Sequence, residues 1–384
     1  MKILSILLAA ALPPLSLPAA EENDPYLSLL LEMERTIRKG NSYLKSQQHA
    51  DGYWSDSTIP AISALALAAG VRDPNLDPKA KEPAYATKGF DWLLTQQKDD
   101  GGIYGKGLAS YNNSSSIMAL VARGRKADEP AILEARSFLI DQQTDWGKKG
   151  EDDKPHDGGI GYGGTYAHSD LSNTYLALEA AYHSRQIAKD GEHGEQPELD
   201  WKSALTFVSR CQNLEETNDQ PWASDNPDDK GGLIYFPGDS KAGERELPDG
   251  TVALRSYGSM SYAGLLSFVY ADLDQNDPRV SAVLEWLGKN YTIKENPGLG
   301  EQGLYYYYHT MAKALAAAGV DKLPLADGTE ADWRRDIATL LVSNQKPDGS
   351  WINENSRWWE NDSILVTSYV VLTLEQIYFT LPQK

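Results

Sequence analysis

One unit recurs six times along this chain, and that repetition limits the folds open to it more than any other feature. Each copy is an amphipathic segment ending in a polar amide, followed by a Gly turn and an aromatic or apolar residue. Gln48 leads into Gly52-Tyr53-Trp54, Gln97 into Gly101-Gly102-Ile103, and Gln143 into Gly158-Gly159-Ile160 after an insertion. Gln212 leads into Gly231-Gly232-Leu233 after a longer insertion, and Gln345 into Gly349-Ser350-Trp351. The fifth copy is worn, with Asn290 ahead of Gly303-Leu304-Tyr305. A unit this short cannot bury its apolar face alone, so the copies must stack on one another.

A second apolar segment follows every turn, at 61–69, 114–123, 171–182, 259–270, 307–318 and 364–377. Each is apolar on nearly every face, the pattern of a helix buried all round. Aligned on their leucines, five of them place Ser63, Ser116, Thr174, Ser261 and Ser368 at one position, while the fifth copy has Met311 beside Thr310. Hydroxyls there are expected to bond back to the preceding turn, where neighbouring helices pack closely. Six amphipathic outer helices around six buried inner ones predict an all-α fold, a single (α/α)6 toroid over residues 21–384.

Residues 1–20 have the layout of an export signal: Lys2, an apolar run from Ile3 to Leu12, and small residues at Ala19-Ala20. The run is about ten residues where a bilayer span needs roughly twenty. The expectation is a cleaved signal and an exported protein, periplasmic or secreted, with no transmembrane segment. Acidic residues outnumber basic ones by 55 to 36, a net charge of −19. That surplus disfavours nucleic acid and anionic membrane surfaces as partners. Cys211 stands alone, which excludes an intramolecular disulfide and a multi-Cys zinc site. No oligomeric state is read from the sequence.

The Gln48…Gly52-Tyr53-Trp54 and Gln345…Gly349-Ser350-Trp351 segments resemble the QW motif of squalene–hopene and oxidosqualene cyclases. The sixfold helix pairing is similar to that of protein prenyltransferase β subunits. The resemblance, to the terpene cyclase/mutase family, implies a structural role for Gln48, Trp54, Gln345 and Trp351, the Gln capping an adjacent helix end and the Trp stacking on it. Asp170-Leu171-Ser172-Asn173-Thr174 resembles the family's Asp-x-Asp-Asp-Thr motif, whose middle acid protonates the substrate. Here Ser172 takes the donor's place and Asn173 that of the next acid. A serine cannot protonate an alkene, so the resemblance implies isoprenoid binding without the usual initiating acid. Prenyltransferases hold zinc through Asp, Cys and His, whereas Cys211 falls at the end of an outer helix. A metal site from His168, Asp170 and His309 is conceivable, but no metal or other cofactor is expected.

In such a toroid the functional residues are expected just before the inner helices, around the central cavity. The catalytic candidates are Asp170, His168, His309 and Tyr257; the substrate-binding candidates are Tyr111, Asn112, Ser172, Asn173, Tyr262, Tyr307, Tyr308, Trp359 and Asp362. Asn113, Ser169 and Asp362 also suit helix capping. Aromatic faces accommodate isoprenoid chains and carbocations, and they stack on sugar rings. Three readings therefore stand. The first is a toroid binding, and isomerising or cyclising, an isoprenoid-type apolar ligand through another acid. The second is a secreted glycan-active enzyme, pairing Asp170 with Glu360 or Asp362 across about 5–10 Å. The third is a non-catalytic binding or scaffold protein. The acidic insertions at 145–157 and 215–229 read as solvated loops at the cavity rim, with Asp225, Asp228 and Asp229 lacking an EF-hand pattern.

Overall fold

The computed structural model describes residues 26–77, 79–163, 168–190 and 193–381. The expected export signal and Tyr166 lie outside the described residues. Helices alternate between two layers: α1 (Leu27–Ser46) and α2 (Pro60–Arg72), α3 (Ala84–Leu94) and α4 (Ala109–Arg123), α5 (Glu129–Asp141) and α6 (Leu171–Lys189). They continue as α7 (Trp201–Arg210) and α8 (Gly258–Tyr270), α9 (Pro278–Lys289) and α10 (Leu304–Ala317), α11 (Trp333–Ser343) and α12 (Ser363–Thr380). The first of each pair is outer and the second inner. Every inner helix packs on the next, and α12 packs on α2, so the inner layer closes into a ring. This is the α/α toroid that the repeats predict. Two antiparallel hairpins stand in its loops, β1 (Glu244–Glu246) with β2 (Val252–Leu254) and β3 (Leu323–Pro324) with β4 (Glu330–Ala331). The helix α12 is long and apolar enough to cross a membrane, but 67% of that stretch is buried inside the ring.

The repeated glutamine joins one copy to the next. Each amide donates twice, to the carbonyl of its own Gly turn and to a backbone carbonyl of the following outer helix or its cap. Gln48 bonds Gly52 and Tyr85 at 2.9 Å each; Gln97 bonds Gly101 at 2.9 Å and Ala131 at 3.1 Å. Gln143 holds Gly158 and Asp200, Gln212 holds Gly231 and Arg279. Gln345 donates to Gly349 and Thr36 at 3.0 Å each, tying the last copy to the first. In the worn fifth copy, Asn290 donates to Trp286 of its own helix instead. On α3 the approach is close enough to need glycine. A Cβ on Gly89 would sit 2.9 Å from the Trp54 ring and 3.2 Å from the Gln48 amide.

The inner-helix hydroxyls have a second role beyond the expected one. Ser116, Thr174, Ser261 and Ser368 do bond back four residues. Ser63, Thr174 and Ser261 also accept the N–H of the turn residue: Trp54 at 2.9 Å, Ile160 at 2.9 Å and Leu233 at 3.0 Å. In the sixth copy Thr367, not Ser368, receives the Trp351 N–H. These Gly turns are thus fixed to both layers, and their buried backbone donors are satisfied.

The acidic insertions carry mostly exposed carboxylates, as expected of solvated loops, with two exceptions. Asp157 and Asp229 are buried, because their carboxylates accept backbone N–H groups: Asp157 from Trp146 and Lys154, Asp229 from Ser256. The three carboxylates that lack an EF-hand pattern are engaged by side-chain cations, Asp225 by Lys230, Asp228 by Lys289 and Arg245, and Asp229 by Arg245.

Replacing Gln345 with Ala removes two donors at the ring closure and leaves two carbonyls without their partner. We expect Gln345→Ala to cost about 2 kcal/mol in urea unfolding, against less than about 0.5 kcal/mol for Asn290→Ala. Equal costs would show that the clamp does not join the copies.

Candidate functional site

The bore of the ring is divided. Tyr111, Tyr306 and Tyr369 reach in from α4, α10 and α12 and line the cavities on both sides of them. Their hydroxyls are paired: Tyr111 with Tyr369 at 3.1 Å, and Tyr306 with Ser172 at 2.9 Å. The Tyr306 and Tyr369 rings meet edge to face at 6.1 Å, and Tyr175 packs on Tyr306 at 6.4 Å. A buried phenol needs a partner for its hydroxyl, and here one of Tyr111 and Tyr369 donates to the other while Ser172 pairs with Tyr306.

The chamber at the inner-helix N-termini holds about 120 Å³ and is walled by Leu108, Tyr162, Ser172, Tyr235, Tyr257, Ser259, Met260 and Leu365. Lys241, Trp358, Trp359 and Glu360 complete it. The mouth is strained: Leu108, Trp358 and Trp359 have φ of 52°, 54° and 61°. Left-handed backbone at bulky residues costs roughly 1 kcal/mol or more each and clusters at functional segments. Both Trp rings are exposed, 42% and 50%. Beside them, Glu360 is 1% exposed. Its carboxylate accepts from the Tyr306 N–H and the Asn353 amide at 2.7 Å each, and burial pushes its pKa up.

The chamber at the C-terminal ends is larger, about 590 Å³, and all six inner helices line it. Leu65, Ala68, Met118, Val121, Leu176, Val269, Ala316 and Leu372 give it an apolar wall. Five acidic or basic side chains interrupt that wall, Arg72, Glu179, His183, His309 and Lys313, beside the neutral Ser115 and Gln376. Lys313 pairs with Glu179 at 2.5 Å, and Tyr270 donates to the same carboxylate at 3.3 Å. Burial favours the neutral form of both imidazoles: the His183 pKa is lowered and that of His309 lowered well below the ordinary value, with Lys313 and Arg72 adding to the latter.

The candidates read from the sequence separate in space. Of the catalytic ones, Tyr257 lines the N-terminal chamber. His309 lies within α10, not before it, stacks on Tyr369 at 5.5 Å and faces the C-terminal chamber. His168 lines neither chamber and packs on Phe236 at 4.6 Å and His156 at 6.0 Å, so His168 and His309 do not share a cavity. Asp170 is fully buried as the α6 cap, accepting from the Asn173 N–H at 2.9 Å and the Asn173 amide at 2.8 Å. Burial raises its pKa to about 7, against the opposing pull of those bonds and of Tyr235. Tyr235, not Asp170, faces the chamber.

Among the binding candidates, Tyr111, Ser172 and Trp359 line the N-terminal chamber. Asn112 accepts the Ala61 N–H at 2.9 Å at the start of α2, and Asp362 caps α12 through Ile364 at 2.8 Å. Asn173 is spent on Asp170. Tyr307 and Tyr308 donate to the Thr292 and Ile293 carbonyls at 2.8 and 2.7 Å, and Tyr262 packs on Tyr307 at 5.7 Å, outside both chambers. Of the residues with polar groups in the larger chamber, the sequence pointed only to Tyr111 and His309. The signal for the others was helical spacing on otherwise apolar segments: Tyr175, Glu179 and His183 on α6, and Tyr306, His309 and Lys313 on α10.

The sequence matches no protein-family model and no curated protein. Its fold matches solved structures of the type II terpene cyclase MstE from Scytonema. The apo enzyme superposes with a TM-score of 0.53 at 12% identity, over 92% of this chain and 99% of that one. A variant of MstE in complex with its substrate, geranylgeranyl dihydroxybenzoate, gives 0.54 at 12% identity over the same shares. The chain has a terpene-cyclase-like α/α toroid fold.

The raised Asp170 pKa fixes a sign for pH dependence. The unfolded carboxyl ionises near 4, the folded one near 7. Between those values the folded state holds the extra proton, so this group's contribution to stability falls as pH rises from 4 to 7, then levels off. Asp170→Asn removes the contribution. We expect the difference in Tm between variant and wild type to shift in the variant's favour across that window, read by thermal melts at steps of pH. A constant difference would place the Asp170 pKa near its ordinary value.

Proposed function

We propose that this is an exported toroid whose bore binds an isoprenoid-type apolar small molecule, with the ligand's chain in the chamber at the C-terminal ends of the inner helices. One observation carries the reading: a cavity of about 590 Å³ with an aliphatic and tyrosine wall contributed by all six inner helices. Ligand sites are typically about 300–1,000 Å³ and mostly apolar, whereas the 120 Å³ N-terminal chamber is too small for such a chain. The fold shared with MstE, whose substrate carries a geranylgeranyl chain, supports the same class of ligand.

Isomerisation or cyclisation would begin with a proton delivered to an alkene. Ser172 cannot supply it, and Asp170 lies behind Tyr235. Among the described residues the chambers present two carboxyls, Glu179 in its ion pair with Lys313 and Glu360. Glu360 lies in the smaller chamber, across the tyrosines from the ligand's chain, so the reading is one of binding and assigns no residue to proton transfer. A glycosidase pair needs two carboxylates facing one ligand; each chamber offers one.

The test is to purify the exported chain, extract it with organic solvent and analyse the extract by mass spectrometry. We expect about one apolar ligand per chain from the wild type. Filling the chamber in a Met118→Trp, Leu176→Trp double variant should lower that yield about tenfold, with thermal melts confirming that the variant folds. A clean extract, together with no rise in Tm on adding geranylgeraniol to the wild type, would overturn the reading.

A further inference from the structure

The large chamber is apolar along its length but not at its end. Arg72, the last residue of α2, extends into it with its side chain 33% exposed. Among the described residues its one side-chain hydrogen bond is Nη2 to the Gln376 Oε1 at 3.2 Å. The nearest carboxyl, Glu375, stands 3.8 Å from Nε, beyond hydrogen-bond reach. Its complete burial pushes its pKa up, while the Arg72 charge pulls it back. Arginine has five N–H donors in a planar fork, so four point to no protein acceptor. The other cation of the chamber is already neutralised, since Lys313 is paired with Glu179. Arg72 therefore keeps most of its donors without a protein acceptor among the described residues, its charge answered by the 3.8 Å contact to Glu375, at the end of a ligand-sized apolar cavity.

Neighbouring arginines on the inner helices are engaged differently. Arg123, which ends α4, is matched by Glu82 and Asp128 at 2.7 and 3.0 Å. Arg185 on α6 stacks on Tyr182 at 4.1 Å and reaches Asp272 at 3.6 Å. Arg123 is paired at hydrogen-bond distance and Arg185 rests on a ring face outside the cavity, whereas Arg72 makes one hydrogen bond, to a neutral amide, and a 3.8 Å contact to Glu375. Its field reaches across the bore, where it contributes to holding His183 and His309 neutral. A planar fork with free donors at the end of an apolar cavity matches a carboxylate or phosphate at the end of an apolar chain.

We propose that Arg72, with the Gln376 amide beside it, anchors an anionic head group, so that the ligand of the large chamber is an amphipathic anion: an apolar chain ending in a carboxylate or a phosphate. The inference rests on the reading that this chamber holds an apolar chain, and it adds which end of the ligand lies where. A charge-assisted bidentate contact in a partly buried site contributes affinity that a neutral head cannot match.

The experiment titrates the intact chain with three probes sharing one chain length: geranylgeraniol, geranylgeranyl phosphate and geranylgeranoic acid. Calorimetry gives the affinities for wild type, Arg72→Gln, Arg72→Lys and, as a charge-count control, Arg185→Gln. We expect the wild type to prefer at least one anion over the alcohol by about 10- to 100-fold. Arg72→Gln should erase that preference, Arg72→Lys should keep part of it, and Arg185→Gln should leave it within about threefold. Which anion wins distinguishes phosphate from carboxylate. Equal affinity for alcohol and anions in the wild type overturns the anchor while leaving apolar binding standing, as does a preference that survives Arg72→Gln. No binding of any probe overturns the chamber reading itself, and the anchor with it.

Discussion

A glutamine amide that donates to two carbonyls in successive copies is the interaction on which this ring depends. An outer helix is amphipathic and cannot hold its place by packing on its own inner partner alone, because that contact leaves it free to tilt. Tying its terminal Gln to the next outer helix removes that freedom, and it does so at the point where the chain turns inward. Five copies repeat the device, and the Gln345 to Thr36 bond joins chain end to chain start. Where the fifth copy lacks it, backbone takes over: the β3–β4 hairpin lies against α9, with the Pro324 carbonyl so close that a Cβ on Gly288 would collide with it. The bore keeps its shape because these ties hold its wall.

Once the wall is closed, the residues that reach inward must satisfy their polar groups among themselves. Outside the bore the inner helices meet through small side chains whose hydroxyls are spent on backbone. Inside it, the large aromatic residues cross and pair their phenols. That pairing makes a septum, and the septum decides what each end of the bore can do. Ser172 belongs to the septum, its hydroxyl engaged by Tyr306; an aspartate there would face a buried phenol, and a packing partner stands where an acid would. The N-terminal chamber is thereby small and aromatic, the C-terminal one large and amphipathic.

The architecture was legible from sequence because it is periodic along the chain. Gln48, Gln97, Gln143, Gln212 and Gln345 announce the copies, and the all-apolar inner segments announce their burial. What stayed hidden is whatever depends on the direction of a side chain across the ring. An inner helix is apolar on every face, so its pattern does not say which face meets the bore. Helix α12 shows this most plainly: the inward Tyr369 and Gln376 sit on a helix with twelve buried residues. Proximity to a helix start placed Tyr307 and Tyr308 in the cavity, yet one and two residues of helical rotation from Tyr306 turn them outward to the loop carbonyls. Glu360 was visible only as one of several acids before α12. That it reaches back to the N-terminus of α10 follows from a loop conformation that no local pattern encodes.

That loop shows how the strained mouth is held. Trp358 and Trp359 sit in left-handed backbone on a turn that begins at Arg357. Neither residue type favours this, and the local cost must be offset nearby. The two acids that follow the turn do so. Glu360 accepts from the first turn of α10 and from Asn353, while Asp362 accepts from the first turn of α12 and from Ser55. Helix N-termini favour a carboxylate through their free N–H groups and their dipole, so each acid is fixed by a helix that is itself fixed in the ring. Asn353, bonded to Glu360 and to the Glu301 carbonyl, holds the loop on its other side. With both sides anchored, the turn between them has too little length to relax, and both indoles are forced out over the smaller chamber. The strain is a consequence of anchoring one short loop to two neighbouring inner helices, and it persists only while the ring keeps those helices together.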